Sequence, residues 1–225
     1  VTQQITALGI HITRPLRLLD ASLKSVNKRL AALEDRLDVD VSTRSELLSG
    51  ITIPASFEDF DGVLSQHFKQ VSGRVLIGDL PNSRLLENLR DGGVDAYGVT
   101  SSDAPTQEAV DVRHEHLFDH LGDLHNESLG GFILCGIPDQ ASVNEQLRAL
   151  RLLLLRSKPG AAVAVIVIHS ETWTKRLSPV AIDLLHGRPM HAETWSYLLN
   201  REGASNIRVV ESSDSSYCLI TAILS

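Results

Sequence analysis

The chain has 225 residues, 43% of them hydrophobic and 22% charged, and its 21 Lys plus Arg against 28 Asp plus Glu leave a net charge of −7. This is the composition of a folded protein with one full domain and an appendage; it excludes disordered, collagen-like and disulfide-scaffold chains. The acidic balance argues against nucleic acid as a partner, and no apolar run reaches the ~20 residues of a membrane span.

Residues 1–50 read as a helical segment set apart from a second domain over 51–225. Thr13 and Pro15 mark a helix start, a cap followed by proline in the first turn. Leu16, Leu19, Leu23, Val26, Leu30, Leu33 and Leu37 then follow at alternating spacings of three and four. That is a heptad seam, with Arg29 and Glu34 at a g position and the following e position, where an interchain ion pair can form. Two readings stand: a coiled coil that makes a homo-oligomer or holds a partner protein, or a helix laid in a groove of its own domain. Asp38 to Pro54 is a boundary rich in acids, Ser and Thr, and Phe57–Val71 is a helical stretch leading into the main domain.

From Arg74 onward strands and helices alternate. Strands are expected at Arg74–Ile77, Val94–Thr100, Val110–Arg113, Gly131–Cys135, Ala161–Ile168, Asn206–Val210 and Tyr217–Leu224. Helices are expected at Ser83–Arg90, with Leu85, Leu86 and Leu89 inward, at Ala141–Arg156, with Val143, Leu147, Leu150 and Leu154 inward, and at His191–Glu202. Long crossovers between strands require parallel pairing, hence a doubly wound α/β sheet; the Ser212–Ser216 turn closes an antiparallel hairpin. His114, His116, His120 and His125 read as a solvated loop and helix face. Trp173, Trp195 and Tyr197 read as core aromatics, with sugar stacking as the other use of such rings. Cys135 and Cys218 sit in apolar runs and are expected as buried free thiols; with no signal-peptide pattern, the expected compartment is the cytoplasm. Met190 is the only methionine, which points to a chain trimmed ahead of Val1.

In such a sheet the loop after the first strand decides what binds. Here it is Gly78-Asp79-Leu80-Pro81-Asn82-Ser83, with one glycine. Leu80 is expected at the ligand's approach and Pro81 removes a backbone donor, so neither a dinucleotide fingerprint nor a P-loop is present. Asn82 or Ser83 is suited to cap the next helix.

The order of elements resembles the class I S-adenosylmethionine-dependent methyltransferases, and is most similar to the branch that modifies bacterial polysaccharides and sugars. Phe57-Glu58-Asp59-Phe60-Asp61-Gly62 is similar to that branch's Phe-Glu-x-x-Phe-Arg-Gly. Val75-Leu76 through Leu89 and Gly98-Val99 are similar to its first strand, loop, helix and second strand. Ser128-Leu129-Gly130-Gly131-Phe132 is similar to its Ser-Leu-Gly-Gly run, and Asp183 to Glu193 to its Asp-Pro-Thr-His-x-Arg-Pro-x-His-Pro-Glu. The resemblance implies a Rossmann-like mixed sheet of about seven strands. It also places the cofactor around Gly78, Asp79, Asn82, Thr100 and His116, and an acceptor pocket at Asp183, His186, Arg188 and His191.

Those cofactor positions depart from the family. Its glycine cradle falls on Asp79, Pro81 and Ser83, its ribose-binding acid on Thr100, its adenine-side acid on or beside His116, and its Glu-His pair on Asp139-Gln140. Losing two or three charge-assisted hydrogen bonds weakens binding on the order of 10³-fold. The expectation is a methyltransferase-like pseudoenzyme, a binding or assembly subunit in bacterial glycan or glycosylated-metabolite synthesis. The alternative is an active sugar O-methyltransferase in which His186 or His191 takes the acceptor's proton, Asp183 orients it and Arg188 holds the acceptor. A structural use of the same cluster, with Asp183 and Arg188 paired to fix the loop, also stands. Asp183, His186 and His191 form one carboxylate–two-histidine spacing, but without a second short-spaced pair no metal is expected.

Overall fold

A computed structural model describes residues 57–80, 83–101, 111–176 and 187–225. The leucine seam, Asn82, Asp183 and His186 lie outside the described residues. A 3-10 turn at Glu58–Phe60 leads into helix α1 (Asp61–Phe68). Phe60, Leu64 and Phe68 are buried along one face of this turn and helix at four-residue spacing. Strand β1 (Val75–Gly78), helix α2 (Arg84–Asp91) and strand β2 (Ala96–Thr100) follow. Leu85, Leu86 and Leu89 of α2 are buried as expected, and the helix stops at Gly92-Gly93, where Gly93 takes the left-handed φ of 83°.

Strand β3 (Val112–His114), helix α3 (Leu117–Asp123) and strand β4 (Leu129–Leu134) come next, then the short α4 (Ile137–Gln140) and the long α5 (Val143–Arg156). Strand β5 (Ser157–Ile168), α6 (Ser170–Arg176), α7 (Ala192–Arg201), β6 (Ser205–Glu211) and β7 (Tyr217–Ile223) complete the order.

The seven strands form one sheet in the order β3-β2-β1-β4-β5-β7-β6. All neighbours are parallel except β7, which runs antiparallel to both β5 and β6. Every residue of β1, β2 and β4 is buried, as is β5 from Ala161 to Ile168. Helices on both faces produce that continuous apolar pattern. Both cysteines are free and buried.

Three expectations need correction. The face α5 turns to the sheet is Gln146, Ala149, Leu150 and Leu153, whereas Val143 is 42% exposed; the apolar residues surround the helix and leave its phase ambiguous. The histidine stretch is not all solvated, since His120 on α3 is 2% exposed. Its Nδ1 meets Glu115 Oε1 at 2.8 Å and its Nε2 meets the Tyr97 hydroxyl at 3.0 Å. That network satisfies both ring nitrogens, which is what burial of an imidazole requires. Tyr197, finally, is 64% exposed, while Trp195 is fully buried and Trp173 nearly so.

Candidate functional site at the carboxyl ends of the strands

The order of the sheet reverses at β1, which lies between β2 and β4. The crevice of such a sheet opens between the carboxyl ends of β1 and β4. In this chain, side chains occupy it. Asp79 follows β1 with φ 58°, a left-handed conformation uncommon for a residue with a Cβ. Gly136 follows β4 with φ 75°, and a Cβ built there would collide with the Asp79 carboxylate and lie 3.0 Å from the Asp79 carbonyl oxygen. Asp79 therefore rests on the bare backbone of Gly136, and glycine is required there for both space and φ. The Cys135 thiol donates to Gly78 O at 3.4 Å, and Asp139 Oδ1 accepts from the backbone N–H of Ile168 at 2.7 Å. This last bond ties α4 to the end of β5.

Burial dominates the electrostatics here. It pushes the Asp79 carboxyl up to about 6, against a smaller opposing pull from His116. Burial also pushes Asp139 up to about 7; the Ile168 N–H opposes this and the Asp79 charge adds to it. The Cys135 thiol is raised by burial and further by both carboxylates, so it is an inert thiol rather than a nucleophile.

Leu80 does not project into the approach as expected. It is 3% exposed and folds down onto β2, its N–H donating to Val99 O at 3.0 Å and its Cδ2 packing over Gly98. Thr100 is buried at the end of β2, and its carbonyl accepts from Glu115 N at 3.1 Å. His116 caps α3, its Nδ1 accepting from Phe118 N at 3.3 Å, and its ring stacks on Phe118 at 5.4 Å. Among the described residues, a cavity of about 220 Å³ at this end of the sheet is bordered by Asp79, His116, Phe118, Ile137, Gln140 and Glu145.

A larger groove of about 490 Å³ lies beyond β5, between the start of α5, helix α6, the strap 187–191 and the start of α7. Buried Gln146 fixes the strap: its Nε2 donates to Ala141 O at 2.8 Å and to Arg188 O at 2.9 Å. Gly187 crosses so close to the Ala141 carbonyl that a Cβ would collide with it. Ser170 Oγ and His191 Nε2 share a hydrogen bond of 3.0 Å, and the His169 ring lies 6.1 Å from that of His191. Trp173, Met190 and Pro189 supply apolar lining and Arg188 supplies a cation.

The structure thus gathers Asp79 and His116 at the small cavity, and Arg188 and His191 at the larger groove. Gly78 lies at the end of β1 and Thr100 does not border either space. Sequence reasoning missed the contributions of Gly136, Gln146 and Ser170. Only the left-handed glycine left a local trace, as the residue that ends an apolar strand. No group of three metal-ligating side chains occurs among the described residues, and no described helix is long and apolar enough to cross a membrane.

No family model matches the sequence, and no curated protein matches it either. Solved structures do. An S-adenosylmethionine-dependent methyltransferase from Archaeoglobus fulgidus superposes with a TM-score of 0.62 at 16% identity, over 79% of this chain and 99% of that one. The 1,6-didemethyltoxoflavin-N1-methyltransferase of Burkholderia thailandensis, solved with bound 1,6-didemethyltoxoflavin and S-adenosylhomocysteine, gives 0.62 at 14% identity, over 84% and 89%. The N-methyltransferase NodS of Bradyrhizobium japonicum, with S-adenosylhomocysteine, gives 0.54 at 11% identity, over 74% and 86%. At these identities the likeness is one of architecture: the chain has the Rossmann-like fold of class I S-adenosylmethionine-dependent methyltransferases.

Proposed function

We propose that this chain is a methyltransferase-fold protein that no longer uses S-adenosylmethionine and acts instead as a binding or assembly subunit. The observation that carries this reading is the Asp79 side chain seated on Gly136. The family's cofactor lies against the backbone of the loop after β1, and here a carboxyl group takes up that approach. Thr100 stands where the family has its ribose-binding acid, and the adenine-side acid falls on or beside His116, so the anionic acceptor for ribose is missing from its place.

The assembly role rests on the leucine seam from Leu16 to Leu37, whose narrow apolar stripe calls for a partner surface, a second copy or another protein. The glycan setting rests on family likeness alone, to which the 183–193 segment is the most specific contributor.

Calorimetric titration of the full chain with S-adenosylmethionine and S-adenosylhomocysteine tests the central claim. No saturation at millimolar ligand is expected; binding at micromolar concentration overturns it. For assembly, Leu23→Glu should lower the sedimenting mass of the full chain, and an unchanged mass removes the seam from the argument.

One observation favours a second reading, an active O-methyltransferase. His191 reaches the groove with a ring nitrogen already bonded to a hydroxyl, that of Ser170. A general base for an acceptor hydroxyl needs that placement. Methyl transfer from labelled cofactor to a hydroxylated acceptor, lost in His191→Ala, is the outcome that reading requires.

A further inference from the structure

We infer that the groove beyond β5 is a binding site for a small hydroxyaryl carboxylate, occupied without S-adenosylmethionine. The inference rests on the reading above and names the ligand class of the binding subunit. Three features of the groove point to that chemistry.

The first is charge. Arg188 is the one charged Asp, Glu, Lys or Arg side chain among the described residues bordering the groove, in a chain of net charge −7. Its planar fork matches a carboxylate in two parallel hydrogen bonds. The second is the lining. Trp173, Met190 and Pro189 line the groove with apolar surface, and Trp173 is 8% exposed, held by packing. Indole and thioether surfaces favour a flat aromatic ring over a puckered polar one. The third is the Ser170–His191 pair, whose 3.0 Å hydrogen bond leaves a hydroxyl and an imidazole to exchange hydrogen bonds with a phenolic OH.

The groove is also pre-organised. Gln146, fully buried, holds the Arg188 carbonyl, and Gly187 is pressed onto the Ala141 carbonyl, so the strap that carries Arg188 and His191 is fixed from below. A fixed strap spares the ligand the cost of ordering it. The volume of about 490 Å³ lies within the usual range for small-molecule sites.

The probe is 4-hydroxybenzoate, followed by quenching of tryptophan fluorescence in the full chain and by calorimetry, with no cofactor present. Saturable binding at or below about 1 mM is expected. Arg188→Ala should weaken it roughly tenfold or more, and Arg188→Lys should recover only part, because the charge returns without the fork. Benzoate, lacking the phenol, and cyclohexanecarboxylate, lacking the flat ring, should each bind more weakly. Arg188 is exposed, so an unchanged unfolding curve shows the variant folded. No saturation up to about 10 mM, an Arg188→Ala variant of undiminished affinity, or tighter binding of glucuronate than of 4-hydroxybenzoate each overturns the inference. A parallel titration with S-adenosylmethionine separates the two claims. Aryl binding together with micromolar cofactor binding sinks the cofactor-free reading and leaves the groove; absence of both sinks the groove alone.

Discussion

The crevice between β1 and β4 and the groove beyond β5 lie at the same end of one sheet, yet they have opposite contents. The Asp79 carboxyl group is seated on Gly136 in the crevice, beside a cavity of about 220 Å³. The groove stays open at about 490 Å³, with an apolar wall and a cation at its border. The strand order puts a concave place at each position; the side chains after the strands decide which one can hold a guest. A fold shared with methyltransferases does not by itself fix what each of these places holds.

The sharpest way to break this contrast is Gly136→Ala. A methyl group there meets the Asp79 carboxylate and forces a left-handed φ on an alanine, so a loss of about 3 kcal/mol in urea unfolding is expected. Adding Asp79→Gly should return at least ~1 kcal/mol, since the collision disappears while the backbone strain stays. Strict additivity of the two would mean that Asp79 does not occupy the crevice.

A smaller effect comes from the raised carboxyls. Asp139 titrates near 7 in the fold against an ordinary value of 3.8, so the folded chain holds the extra proton between those limits. Its contribution is most favourable below about pH 4, declines as pH rises towards 7, and is flat above. Asp139→Asn keeps an oxygen for the Ile168 N–H and removes the charge. It should raise stability at pH 8 by on the order of 2 kcal/mol and flatten the decline between pH 4 and 7. Denaturant midpoints across that range check it; an unchanged slope rules the carboxyl out as a buried proton carrier.

Next in size, Asp79→Gly alone clears the crevice and lets backbone approach a ligand. Affinity for S-adenosylhomocysteine should improve roughly tenfold, equivalent to ~1.4 kcal/mol, while groove binding stays unchanged. Last, Ser142→Ala removes one half of a capping box at the start of α5. Ser142 Oγ receives Glu145 N at 3.3 Å, and the Glu145 carboxylate takes Ser142 N at 2.8 Å. A loss of about 1 kcal/mol is expected, with a matching weakening in the groove because α5 carries Gln146.

Much of the fold was legible because buried parallel strands write themselves as short apolar runs. The expected strands at Ala161–Ile168 and Tyr217–Leu224 fall on β5 and β7, and the expected Gly131–Cys135 starts two residues after the start of β4. Residues 157–160 were missed because Pro159 and Gly160 read as punctuation, although they continue β5. Helix α3 was obscured by its histidines, since the burial of His120 depends on Tyr97, more than twenty residues earlier. The site was legible in part. Asp79 and His116 were singled out as departures and do meet at one cavity, and Arg188 and His191 do share a groove. Ser170 could not be found from the chain alone, because its bond to His191 spans 21 residues with no local spacing rule. Leu80 was misplaced for a related reason: an exposed-looking loop leucine found its partner in Gly98 of the neighbouring strand.

The antiparallel β7 has a consequence for the order of assembly. It lies between β5 and β6, so β6 joins the sheet solely through a strand that comes later in the chain. During folding, the 205–211 segment has no hydrogen-bonding track until 217–223 has turned back, and the two must dock as a preformed ribbon or wait for each other. That pairing is the most local in the sheet, closed by the short 212–216 turn, and the largely exposed edge strand β6 is the natural place for the molecule to open first.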